Sequence, residues 1–105
     1  MVPGAARDDP ELRPSPEQVL DNFREVTYAG AEAGADMVML EMMSRPLHMK
    51  LALQAAEESG LPFWCGLSAR MESANVHSYV WEGFPFEESI AVAVAGKAEV
   101  MGLMH

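Results

Sequence analysis

Three apolar runs each end on a group that can do chemistry. Residues 37–40 are closed by a carboxylate, Glu41, residues 61–67 by a hydroxyl, Ser68, and residues 100–104 by an imidazole, His105. A carboxylate holds an ammonium group, a hydroxyl donates and accepts hydrogen bonds, and an imidazole suits a metal. By two-residue alternation Glu41 shares a face with Met37 and Met39, so that face is an interior or a cleft. The alternative is a carboxylate that caps the next helix or pairs with Arg45. Cys65, the only thiol, lies mid-run between Trp64 and Gly66. Free cysteine is among the most buried residue types, so it reads as packing. Met37, Met39, Met42 and Met43 read as core, and His48 as surface. Residues 69–84, ARMESANVHSYVWEGF, carry Arg70, Glu72, Asn75, His77, Tyr79 and Trp81. A connection of that length is commonly functional, and its aromatic residues can face a cation. A solvated loop is the alternative. There is no glycine-rich phosphate loop, Ser-His-Asp order or Cys-x-x-Cys pair.

The elements that carry these groups follow from local chemistry. Ser15-Pro16-Glu17-Gln18 has the form of a capped helix start. Val19, Leu20, Phe23, Val26 and Gly30 follow at helical spacing, and Gly34 closes the helix as a left-handed residue. The run after Asp36 suits a strand buried on both faces, as in a parallel sheet. Ser44 and Pro46 open a second helix with a Leu47, Leu51, Ala55 stripe, and Gly60 stops it. Phe86 to Lys97 is the third helix. The order is αβαβαβ, with three parallel strands near 37–41, 62–67 and 99–104 joined by crossover helices. Three strands leave open edges, and a (β/α)8 TIM barrel needs roughly 250 residues. The expectation is an α/β fold, a partial barrel from inside a larger domain, with residues 1–14 an irregular lead-in.

Composition narrows the partners. The chain has 105 residues, half of them apolar, and its 7 basic and 16 acidic residues give a net charge of −9. Nucleic acid and anionic membranes are bound through clustered Lys and Arg, so neither is expected. No apolar run reaches the roughly 20 residues of a membrane span, and the first residues lack a secretory apolar region. One cysteine makes no internal disulfide, which suits a reducing cytoplasm.

The stretch AEAGADMVMLEMMSRPLHMKLALQAAEESGLPFWCGLS, residues 31–68, resembles the homocysteine S-methyltransferase family. The matching elements are the Gly34-Ala35-Asp36 turn, the apolar strand ending in Glu41, the alanine-rich helix and the Gly60-Leu61-Pro62 turn. The resemblance continues through Val100-Met101-Gly102-Leu103-Met104-His105, where the family has an apolar-Gly-apolar-Asn-Cys strand end. It implies a zinc-dependent TIM barrel of methionine biosynthesis. Such an enzyme moves a methyl group from a sulfonium or quaternary ammonium donor to the thiol of homocysteine. By the same resemblance Glu41 holds the amino group of homocysteine and His105 stands where a cysteine ligates zinc; Ser68, by its place at the end of its run, is better placed than Cys65 for substrate contact. Asn-Cys is Met104-His105 here, and the family's later cysteine pair is not in this sequence. An isolated fragment is therefore expected to be inactive and to hold zinc weakly, since catalytic zinc ordinarily takes three protein ligands. Two other readings stay open: a different barrel enzyme, or a non-catalytic α/β module that self-associates through its open sheet edges.

Overall fold

The structure, a computed structural model, describes residues 14–72, 75–78 and 85–104. Its elements are α1 (Pro16–Glu32), β1 (Val38–Met43), α2 (Pro46–Glu58), β2 (Phe63–Glu72), β3 (Asn75–Ser78), α3 (Phe86–Ala95) and β4 (Val100–Met104). The fold is α/β, with three parallel strands alternating with helices, consistent with part of a (β/α)8 barrel. The parallel order is β1-β2-β4, so β2 is bonded on both sides. Among the described residues no helix is long and apolar enough to cross a membrane.

Local sequence chemistry places the helix ends. The Ser15 Oγ accepts from the Gln18 N–H at 3.2 Å, and the Ser15 N–H donates to Gln18 Oε1 at 2.8 Å. This reciprocal pair satisfies two otherwise orphan donors at the start of α1. After α1 and α2 the chain reverses at Gly34 (φ 95°) and Gly60 (φ 78°), a region costly for residues with a Cβ. At α2 the cap is Arg45, not Ser44, and it makes no side-chain capping bond. Pro46, in the first turn, starts the helix instead.

Two helices present a stripe that only partly matches the one their periodicity suggests. On α1, Val19 and Thr27 are buried and Phe23 packs on the core, while Val26 is 71% exposed. The i, i+4, i+8 row faces inward because Thr27 can satisfy itself, its hydroxyl donating to the Arg24 carbonyl at 3.1 Å. On α2, Met49, Ala52, Leu53, Ala55 and Ala56 are buried, so of the expected stripe Ala55 faces inward, Leu51 is half-buried and Leu47 is exposed. That helix contacts α1, α3 and the sheet, so its buried face is wide. Its alanines allow the neighbours close.

The core lies between helices and sheet. Leu40, Phe63, Cys65 and Leu67 meet Met49, Ala52, Leu53, Ala56 and Ala93 there. Contact with α3 is tight: a Cβ on Gly96 would lie 2.6 Å from Leu53 Cδ1 and 2.9 Å from Leu53 Cβ. α3 ends at Ala95, two residues short of expectation, where the chain turns through Gly96 and a left-handed Lys97 (φ 65°).

The long connection expected at 69–84 is partly a hairpin. β2 continues to Glu72 and pairs antiparallel with β3, Met71 standing opposite Val76. Polar residues dominate this extension, so its apolar pattern was too sparse to announce a strand. Residues 79–84, with Tyr79 and Trp81, lie outside the described residues.

Candidate functional site on the open face of the sheet

Strand alternation gives the sheet two unlike faces. Phe63, Cys65 and Leu67 of β2 point to the helices; Trp64, Gly66 and Ser68 alternate with them on the other side. Parallel register extends that second face into rows. Met39, Trp64 and Val100 form one row, at 43, 39 and 44% exposure. Gly66 beside Gly102 forms the next, and Ser68 beside Met104 the last. Met37 and Met39 thus belong to the open face, and only Met43 of the four methionines packs on the core.

Glu41 stands at the glycine row. β1 pairs Leu40 with Cys65 and Met43 with Leu67, so Glu41 and Met42 together oppose the single residue Gly66. This is a β-bulge, and Met42 takes φ 57° within it. Regular alternation would have set Met42 under the helices. Met43 is there instead, and Met42 is 48% exposed. Glu41 is exposed near the C-terminal end of β1, on the side away from the helices.

Ser68 closes the site from the next strand. It is 3% exposed, and among the described residues its Oγ has no hydrogen-bond partner. A buried hydroxyl left unpaired costs about 1–3 kcal/mol, which a ligand's polar atom would offset. Glu41 and Ser68 sit on adjacent strands roughly 4.8 Å apart, offset by about one two-residue repeat. The row at the level of Glu41, Gly66 beside Gly102, carries no side chains and so forms a slot between the Trp64 row and the Ser68 row. A Cβ built on Gly102 would meet nothing within 4 Å. The glycine pair and Trp64 were missed in the sequence, because only register brings them beside Glu41.

Other candidate groups lie elsewhere. Cys65 is buried on the helix side, and burial pushes its thiol up to about 11, so it stays protonated and inert at neutral pH. His48 is exposed on α2, at a hollow of about 360 Å³ lined by Pro16, Val19, Arg45, Pro46 and Glu88 among others. A shallower groove of about 440 Å³ runs between α2 and α3. Neither includes Glu41 or Ser68. Arg24 of α1 grips Glu58 of α2 with two bonds, Nε to Oε1 at 2.7 Å and Nη2 to Oε2 at 2.9 Å. Those bonds raise the guanidinium pKa and hold the carboxyl below its usual range. This pair clamps two helices and is not part of the slot.

The zinc implied by the resemblance finds no fit among the described residues. No three of His, Cys, Asp and Glu converge there. Cys65 faces the wrong side of the sheet as a protonated thiol, and His105 lies outside the described residues.

The family model for homocysteine S-methyltransferase matches residues 2–104. The chain belongs to that family. No curated protein and no solved structure matches it. Membership gives meaning to the placement of Glu41, since barrel enzymes of every chemistry build their sites at the C-terminal ends of their strands.

Proposed function

We infer that the open face binds homocysteine as the methyl acceptor of an S-methyltransferase, with a sulfonium or quaternary ammonium compound as donor. In that reaction the acceptor sulfur gives up its proton and attacks the methyl carbon. A sulfur–carbon bond forms as the donor's carbon–heteroatom bond breaks, and the donor leaves neutral at that atom. Most of the work is alignment of three atoms. This chain's residues supply the acceptor's grip. Glu41 takes the ammonium group, Ser68 meets a polar atom of the amino acid, and the Gly66–Gly102 slot over Trp64 takes the methylene chain. Activation of the thiol by zinc is not assigned to these residues. On this reading the protein works in a reducing, cytoplasmic setting, where the acceptor thiol stays free.

The observation that carries this reading is an exposed carboxylate near a strand end beside a buried hydroxyl with no partner among the described residues, in a chain of this family. The test is calorimetric titration of the chain, and of any longer protein containing it, with homocysteine and with 4-mercaptobutanoate, which lacks only the amino group. Glu41→Gln should weaken homocysteine at least about tenfold, the worth of a charge-assisted bond. The same change should leave the analogue and the methyl donor within about twofold, well under 1 kcal/mol. Equal losses for all three would remove the assignment.

A further inference from the structure

The bulge next to Glu41 holds a conformation that methionine adopts at a cost. Left-handed backbone is uncommon for any residue with a Cβ, and Met42 is neither glycine nor asparagine. The surroundings explain why it persists. Leu40 and Met43 are both packed on the helix side, against Cys65 and Leu67 of the neighbouring strand. Two residues must therefore fit where one would complete a regular strand, and the extra one is pushed to the open face. Removing it would leave Leu40, Glu41 and Met43 in ordinary alternation, with Glu41 still on the open side. The added residue is thus not needed to choose the face. A bulge bends its strand and raises the local twist, which re-aims the neighbouring Glu41 side chain.

We propose that Met42 is a positioning residue, whose left-handed backbone aims the Glu41 carboxylate over the Gly66–Gly102 slot. This rests on the assignment of the slot to homocysteine. The side chain of Met42 has no part in it; the backbone does the aiming. A glycine should do the same at less strain, and a β-branched residue, which resists positive φ, should not.

Three variants test this in the full chain: Met42→Gly, Met42→Ile and deletion of residue 42. Met42→Gly should raise Tm by a few degrees and leave the homocysteine Kd within about twofold. Deletion, which regularises the strand, should weaken homocysteine about tenfold while 4-mercaptobutanoate, which gives Glu41 nothing to hold, is unaffected. Should the deletion not fold, Met42→Ile is read by the same pair of ligands. A tenfold loss in Met42→Gly would overturn the proposal, because the side chain would then be the contact. So would a fall in its Tm, or homocysteine binding undiminished by the deletion or by isoleucine. If Glu41→Gln itself leaves homocysteine binding unchanged, the acceptor assignment falls and this proposal with it. If Glu41→Gln does weaken binding, a failure among the Met42 variants counts against the bulge alone.

Discussion

The two faces of one sheet are made by neighbouring residues of the same strands, and they differ in almost every physical respect. Toward the helices Cys65 and Leu67 are 1 and 2% exposed and lie in a cluster of buried apolar residues. On the other side Trp64 is 39% exposed, two glycines stand side by side, a carboxylate stands near the end of β1, and the Ser68 hydroxyl within β2 has no hydrogen-bond partner among the described residues. Closeness on one face fixes the strands; incompleteness on the other leaves chemistry available. Substitutions should accordingly move stability on the first face and ligand affinity on the second.

The largest effect is expected on the packed side. Leu53→Ala removes a side chain 1% exposed that also seats Gly96 of the α3 terminus, and should cost about 2–5 kcal/mol in urea unfolding. A loss below about 1 kcal/mol would mean that the helix layer is loosely packed and the contrast of faces is overstated. The mirror experiment is Gly102→Val on the open side. Its Cβ meets open space, so unfolding free energy should hold within about 0.5 kcal/mol while homocysteine affinity falls. Loss of stability with affinity intact would reverse the assignment of the faces.

Titration sharpens the same contrast. The Cys65 thiol is raised to about 11 in the folded chain, above its value when unfolded. Both states hold the proton below the unfolded value, so stability is undiminished there. As pH rises from there toward 11, the unfolded chain releases its proton first and stability declines. Cys65→Ala should flatten that alkaline decline, and alkylation of the native thiol at pH 8 should be slow. The smallest effect belongs to the helix clamp. Glu58 is depressed by its bonds to Arg24, so its contribution is present above its unfolded pKa and is lost as pH falls through the lower folded one. Glu58→Gln should reduce the acid dependence of Tm slightly and leave ligand binding alone.

What the sequence disclosed was local. The capping pair at Ser15 and Gln18, the glycine turns at 34 and 60 and the αβ alternation are each decided by a few adjacent residues. Glu41 and Ser68 were legible because each ends an apolar run. Periodicity could not say that α2 is wedged between two helices, which turns Leu47 outward and Met49 inward. Nor does a methionine announce a bulge, since the usual signal is glycine. The glycine slot needed register between segments 36 residues apart (102 − 66), which no local pattern contains.

In the parallel part of the sheet, spatial order follows chain order: β1, then β2, then β4. During synthesis from the N-terminus each new strand therefore meets an edge that its predecessor has just completed, and no finished strand has to be parted to admit a later one. β2 needs only the short α2 crossover to find β1, a modest loop to close. The slot is a late product of this growth. Glu41 is in place with β1, but its glycine-lined opening is finished only when β4 arrives, so a growing chain would carry the carboxylate before it could grip a substrate.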